Sequence, residues 1–298
     1  MIVYASAITD EDVYKRCAQA GIKRLIESEP DSESVVFASV GSICRNYNLI
    51  IDQVSGRDEV EALVLVHQDA EIVDPEFAAK IRAALEDSEV GVVGGAGAVD
   101  VRSIAWWEGS ITWASFTHRY EELGGGEIPA LAWVADTMPP FAKTGEVDSV
   151  DGFVLVLSPW AIENLRFDES LSQSHGYDLD FCLQARAAEK KVVTANLRVV
   201  HHHSLRLIRD VESWIQAHMA VAEKWDHELH SSYGSANGDW KRRARRAEAE
   251  ASAARLMGGL EELLRVAQYK ELEAIKESRS WRMMAPARAL GRMIRSRR

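Results

Sequence analysis

The residues with the clearest chemical potential are His67, Gln68 and Asp69, which directly follow the apolar run Ala62-Leu63-Val64-Leu65-Val66. A short β-branched run that ends abruptly in polar residues reads as a buried strand delivering side chains to a cleft at its carboxyl end. A carboxylate there, beside an imidazole and an amide, suits a divalent cation held against a polyphosphate. Downstream come His175-Gly176-Tyr177-Asp178-Leu179-Asp180 and then His201-His202-His203. Two acidic clusters and a late histidine run, in that order, point to metal-assisted group transfer. Asp178 and Asp180, two apart at a helix start, project in different directions, so one can face a cleft while the other caps the helix. The three histidines follow a strand and alternate sides, so a zinc site made of all three is not expected.

Elements able to hold these residues are legible around them. Ile2–Ile8 reads as a first strand. Thr9-Asp10-Glu11-Asp12 then starts a helix running towards Ile26, with threonine as the cap and acids at the positive end of the dipole. A strand over 34–40, a helix over 43–51 and a strand ending at His67 follow. Pro75 is expected in the first turn of a helix reaching about Glu86, and Val90–Gly94 gives a fourth strand. Strands alternating with helices at this spacing predict an α/β fold with a mainly parallel sheet covered on both faces. Residues 95–150, with Trp106, Trp107, Trp113, Gly124–Gly126 and Pro139-Pro140, show little periodicity and read as an excursion that shapes a binding surface. Strands over 147–157 and 191–200 and helices over 179–189 and 214–230 complete the pattern.

Composition narrows the function classes. The chain has 298 residues, 47% hydrophobic, and a formal net charge of -11, which argues against nucleic acid as a partner. Cys17, Cys44 and Cys182 show no paired spacing and fit reduced thiols. With no basic leader and no apolar stretch near the ~18 residues needed to span a bilayer, the body is expected in the cytoplasm. The expected layout is a main domain over 1–230, a small polar linker over 231–239, a helix over 240–278 and a basic tail over 279–298. In that helix Ala249, Ala253, Leu256, Leu260, Leu263 and Ala267 step by four and three, which suits a coiled-coil seam in a homodimer or a docked helix. Gly258-Gly259 weakens it by roughly 1 kcal/mol per glycine. From Arg282 to Arg298 there are arginines and no acid. With Trp281, Met283, Met284 and Leu290 among them, the tail suits peripheral contact with an anionic membrane; it also fits a solvated tail or one docked on the acidic body.

The series Val66-His67-Gln68-Asp69, Val90-Gly91-Val92-Val93-Gly94-Gly95-Ala96-Gly97, Val150-Asp151-Gly152-Phe153, Gly176-Tyr177-Asp178-Leu179-Asp180-Phe181 and His201-His202-His203-Ser204 resembles a family 2-type glycosyltransferase. More narrowly, it is similar to the bacterial glycosyltransferase-like branch in which the usual Asp-x-Asp reads His-Gln-Asp. The resemblance covers roughly residues 1–205. It implies a GT-A fold, a nucleotide-sugar donor, Mn²⁺ or Mg²⁺, and transfer with inversion at the anomeric carbon. Asp69 then matches the metal-binding aspartate, with His202 and His203 best matching the histidine that approaches the metal or diphosphate. Asp178 matches the catalytic base, and Tyr177 stands where many relatives have glutamate. His67, Gln68, Asn48, Asp151 and Gly152 fall to the donor, the glycine letting backbone approach a ligand closely. Trp106, Trp107 and Trp113 offer faces on which sugar rings stack, and core packing explains them equally well; Trp214 and Trp225 read as core. Ser278–Arg288 resembles an ending seen on many bacterial glycosyltransferases, which implies a saccharide or lipid-linked acceptor and a place in surface polysaccharide synthesis. Plainer readings stay open: Asp69 as a turn residue, Asp178 and Asp180 both as caps, Asn48 as a helix-surface amide, Asp151 as a turn aspartate. A non-catalytic nucleotide-sugar-binding scaffold is the rival reading, and a metal-dependent phosphohydrolase the third.

Overall fold

The computed structural model describes residues 1–39, 41–129, 145–171, 174–203, 210–226, 229 and 238–284. The apolar runs become strands because both of their faces are covered. Ala62, Val64 and Val66 of β3 (Ala62–Val66) enter one hydrophobic cluster and Leu63 and Leu65 the other, and all five are fully buried. That is the pattern of a central strand between two helical layers. β1 (Ile2–Ile8) lies parallel to β3 on one side and to β2 (Glu33–Ala38) on the other. Between β1 and β2 the expected single helix is two: α1 (Glu11–Arg16) and α2 (Ala18–Ser28), separated at Cys17. Asp10, not Thr9, caps α1 by accepting the N–H groups of Asp12 and Val13. Ser42 caps α3 (Ile43–Val54).

Past the short β4 (Ala70–Ile72), Pro75 stays outside α4 (Phe77–Leu85), whose first cap is Glu76. The cause is Asp74, a buried carboxylate that accepts from Lys80 and from the N–H groups of Glu76 and Arg198 and so fixes the turn ahead of the helix. β5 (Val90–Gly94) is followed by an excursion with regular structure of its own: β6 (Ala96–Val99), a 3₁₀ turn at Trp106–Glu108, β7 (Ile111–Ala114), β8 (Phe116–Tyr120) and β9 (Glu127–Pro129). Segments this short carry too little periodicity to read from sequence.

The strand expected over 147–157 is three: β10 (Gly145–Val147), β11 (Ser149–Val150) and β12 (Val154–Leu157), with the turn at Asp151-Gly152 between the last two. α5 (Pro159–Asn164) and α6 (Tyr177–Ala187) follow. The strand expected over 191–200 is split into β13 (Lys191–Thr194) and β14 (Val199–His203). At that break the Ser115 hydroxyl meets the carbonyls of Gly95, Ala195 and Leu197 and accepts the Leu197 N–H, which satisfies a bend a continuous strand would not have.

Among the described residues the main sheet runs β10-β13-β5-β12-β3-β1-β2, with β12 antiparallel between β3 and β5. A second sheet runs β4-β14-β8-β9 and a third β11-β6-β7. This is the mixed, mainly parallel sheet flanked by helices that the GT-A resemblance implies. The insertion of β12 matters most for the site. It pairs Val154 with Val66, and the His67 N–H donates to the Phe153 carbonyl, so the Asp151-Gly152 turn lies beside the end of β3.

α7 (Val211–Lys224) carries α8 (Gly238–Glu277), a 40-residue helix of about 60 Å by its rise. Ala249, Ala253, Leu256 and Leu260 are buried against the chain's own body, whereas Val266, Tyr269, Leu272 and Ile275 further along are exposed. A short α9 (Arg279–Met283) follows. Most of the expected linker and the tail beyond Met284 lie outside the described residues. Among the described residues no helix is long and apolar enough to cross a membrane.

Candidate active site

The site forms where β3, β12, β14 and the start of α6 meet. β3 ends at Val66 and hands His67 and Asp69 to this junction. β14 pairs with β4 next door, and the His202 N–H donates to the Asp69 carbonyl, so the histidine run is stitched alongside the β3–β4 turn. Alternation along β14 then decides which imidazole joins the aspartate. His201 turns inward, nearly buried, with Nε2 3.4 Å from Asp69 Oδ1. His202 turns the other way, with Nε2 3.2 Å from Glu71 Oε2. Ligand atoms of His67, Asp69 and His201 lie within 4.8 Å of one another, a group able to hold a metal ion. The histidine brought to Asp69 is therefore His201, while His202, expected at the metal, sits against Glu71. The side chain of His203 lies outside the described residues.

On the far side of His67 stands Tyr177, the residue in the glutamate position. Its hydroxyl is 2.6 Å from His67 Nε2. Burial pushes the phenol well above its ordinary range, so it is a neutral hydroxyl, and burial also lowers the His67 pKa, more than Asp69 raises it. Imidazole here is neutral, the form a metal requires. Gly152 also serves the packing of the site. A Cβ at this position would sit 2.2 Å from the Tyr177 hydroxyl, so the glycine makes room for that ring, and its N–H donates to Asp178 Oδ2 at 3.0 Å.

α6 begins at Gly176, in the left-handed region at φ +77, where a Cβ would also meet Ile104 and Val221. Its first turn separates the two aspartates as the spacing implies. Asp180 is fully buried and structural: it accepts from Trp225 Nε1 at 2.7 Å and Gln184 Nε2 at 2.8 Å, and pairs with Lys224. Asp178 opens instead onto a cavity of about 220 Å³ that is also lined by His67, His201, Asp151, Trp106 and Trp107. Burial first, then the charge of Asp151, pushes the Asp178 carboxyl up to about 7, against the lowering effect of the Leu179 and Gly152 N–H groups. Asp151 accepts the Trp106 indole N–H at 2.9 Å and the Phe153 N–H at 3.1 Å.

Two expected donor residues are engaged elsewhere. Both amide atoms of Asn48 tie α3 to the segment after α5: Nδ2 donates to the Phe167 carbonyl and to Glu169, and Oδ1 accepts the Phe167 N–H. Gln68 Oε1 accepts the N–H groups of Thr9 and Asp10 and fastens the end of β1. Trp113, half-buried, packs beside Gly145 against the core, and Trp214 is buried in the core as expected while also lining the cavity with His175 and Leu256. His201 was legible as the first ring of an alternating run; His175, read only as part of the cluster leading into α6, and Leu256, read only as a seam or docking residue, carried no signal for a place in the cavity.

The sequence of residues 3–218, well over half the chain, matches the model of the "Glycosyltransferase like family". The chain belongs to that family. It is an enzyme of the glycosyltransferase class, as the motif series implied. It is 28% identical over 217 residues to the streptomycin biosynthesis protein StrF of Streptomyces griseus, covering 72% of this chain and 71% of that protein. It is also similar to the mannosyltransferase PcManGT from Pyrobaculum calidifontis, solved in complex with GDP-Man and Mn²⁺, at 14% identity and a TM-score of 0.47, over 97% of this chain and 83% of that one.

Proposed function

We propose that the chain transfers a sugar, with inversion, from a nucleotide-sugar to a hydroxyl of a saccharide or lipid-linked acceptor, with Asp178 as base. What carries this reading is that His67, His201, Asp151 and Asp178 line one cavity, with Asp69 beside His201, although these residues are dispersed in sequence. In the step, the acceptor oxygen forms a bond to the anomeric carbon as its proton passes to the Asp178 carboxylate. The bond from that carbon to the diphosphate oxygen breaks, and the electron pair leaves with the nucleoside diphosphate. A carboxyl poised near 7 suits taking such a proton at neutral pH.

The residues present fit the cation the family implies. Two imidazoles and one carboxylate suit Mn²⁺ better than Mg²⁺, which prefers oxygen donors. Asp69, His67 and His201 would hold it, and it would supply charge neutralisation on the diphosphate. His67 and Tyr177 form a matched pair: where relatives place two acids, this chain places an imidazole and a neutral hydroxyl 2.6 Å apart. Residues 279–298 would bring the enzyme to an anionic membrane face and so to a lipid-linked acceptor of surface polysaccharide synthesis, with the body in the cytoplasm.

The test is donor turnover with UDP-, GDP- and dTDP-sugars plus Mn²⁺. Slow donor hydrolysis, abolished by chelator and by Asp178→Asn, is expected. Donor binding with no turnover by wild type, after acceptors have been screened, would establish a scaffold instead. Deleting residues 279–298 is expected to weaken binding to anionic vesicles while donor hydrolysis persists.

A further inference from the structure

The cavity lining is of two kinds, and only one is accounted for by a nucleotide-sugar. One kind is the imidazoles of His67 and His201, the latter beside Asp69. The other is an apolar wall of Trp106 and Trp107 from the 3₁₀ turn, Trp214 from α7 and Leu256 from α8. Asp151 and Asp178 line the same cavity, and among the described lining residues there is no lysine or arginine. Indole rings together with two carboxylates are unsuited to phosphate. They suit a neutral ring with an apolar C–H face and hydroxyls on its edge, which is a pyranose.

α8 does more than cover this wall. Glu108, at the end of the 3₁₀ turn, is gripped from α8 by Arg255, with Nε 2.7 Å from Oε1 and Nη2 2.8 Å from Oε2. The buried Ser252 hydroxyl donates to the same carboxylate at 2.8 Å. Such a two-pronged guanidinium contact fixes direction as well as distance. Two residues before Glu108, the Trp106 indole N–H donates to Asp151, and the Trp106 and Trp107 rings pack edge to face with centroids 6.1 Å apart. One residue after Arg255, Leu256 completes the wall.

We infer that this wall is the subsite for the acceptor's sugar ring, and that the Arg255/Ser252 grip on Glu108 makes α8 the element that positions it. The inference deepens the transfer reading, on which it rests. Leu256 and Trp107 touch the ring; Arg255, Ser252 and Glu108 are positioning residues that act through the tryptophans. The long C-terminal helix is thereby part of the acceptor site.

The full chain is titrated with methyl pyranosides of glucose, galactose, mannose and rhamnose in the presence of UDP, GDP or dTDP, with binding read by saturation-transfer NMR. At least one pyranoside is expected to bind. Trp107→Ala and Arg255→Ala should each weaken it about tenfold, the scale of one lost aromatic contact, while Trp107→Phe recovers most of its loss and Arg255→Lys, which keeps the charge but cannot make the two-pronged contact, recovers little. The Kd of the nucleoside diphosphate should hold. Absence of binding by every pyranoside, or equal binding by wild type and Arg255→Ala at matched melting temperature, overturns the subsite. Donor turnover is read separately. Pyranoside binding with the expected losses but no turnover removes the transfer reading and leaves the subsite standing; turnover with no effect of the grip does the reverse.

Discussion

Asp69 and Asp178 sit in contrasting surroundings, the first beside His201 and the second lining the cavity that His201 also lines. Asp69 lies on the turn after β3, about a quarter exposed, facing the rings of His67 and His201. Asp178 sits at the start of α6, beneath two N–H donors and across from a second carboxylate, Asp151. The first setting lets negative charge be shared with a cation. The second raises proton affinity to the range where a base can take and release a proton. Under the proposed function the same side chain serves two jobs, set apart by its neighbours.

If that contrast is right, the two aspartates fail differently when changed. Asp178→Asn should lower donor turnover by about 10²–10⁴-fold, the usual worth of a general base, with the donor KM little altered. Asp69→Asn should instead raise the Mn²⁺ concentration needed for half-maximal turnover by about 10–100-fold, the scale of losses at metal-site residues. Equal responses to Mn²⁺ from both variants would dissolve the distinction. The two histidines sharpen it further. His201→Ala is expected to shift the Mn²⁺ requirement by about tenfold, and His202→Ala, removing the ring paired with Glu71, should leave it where it was.

Smaller effects follow from charge. Because the base acts ionised, turnover should rise with pH through about 7. Asp151→Asn removes the neighbouring charge and should move that limb to lower pH by about one unit. A limb that stays put would mean that burial alone sets the carboxyl. The sign for stability is opposite. A folded carboxyl near 7 binds its proton more tightly than the unfolded one at 3.8, so wild type loses stability as pH rises from about 4 to 7. The melting-temperature gain of Asp178→Asn over wild type should therefore be larger at pH 8 than at pH 4, by roughly 2–4 °C per kcal/mol. A gap independent of pH would contradict the raised affinity.

Much of the frame was legible in the chain. The buried five-residue run Ala62–Val66 and its abrupt polar end placed β3 and Asp69, and β1 and β5 match their expected spans, because fully covered strands leave continuous apolar runs. The four short strands of the excursion were not legible, nor were the breaks at Asp151-Gly152 and at Ala195–Arg198. Each depends on hydrogen bonds to partners distant in sequence, such as the Ser115 hydroxyl. The bonds that Asn48 and Gln68 make were not legible for the same reason. An amide suited to a nucleotide is equally suited to tying loops, and only the neighbouring backbone groups choose.

By itself the sequence determined the kinds of group available and their local order: the strand-end aspartate, the paired aspartates at a helix start, the alternating histidines and the family they mark. Only tertiary structure decided that His201 meets Asp69, that Tyr177 occupies the space above Gly152, and that Leu256 reaches the cavity from α8. Local spacing fixes directions within one element. Which directions meet is set by how sheets and helices pack, through contacts spanning the whole chain.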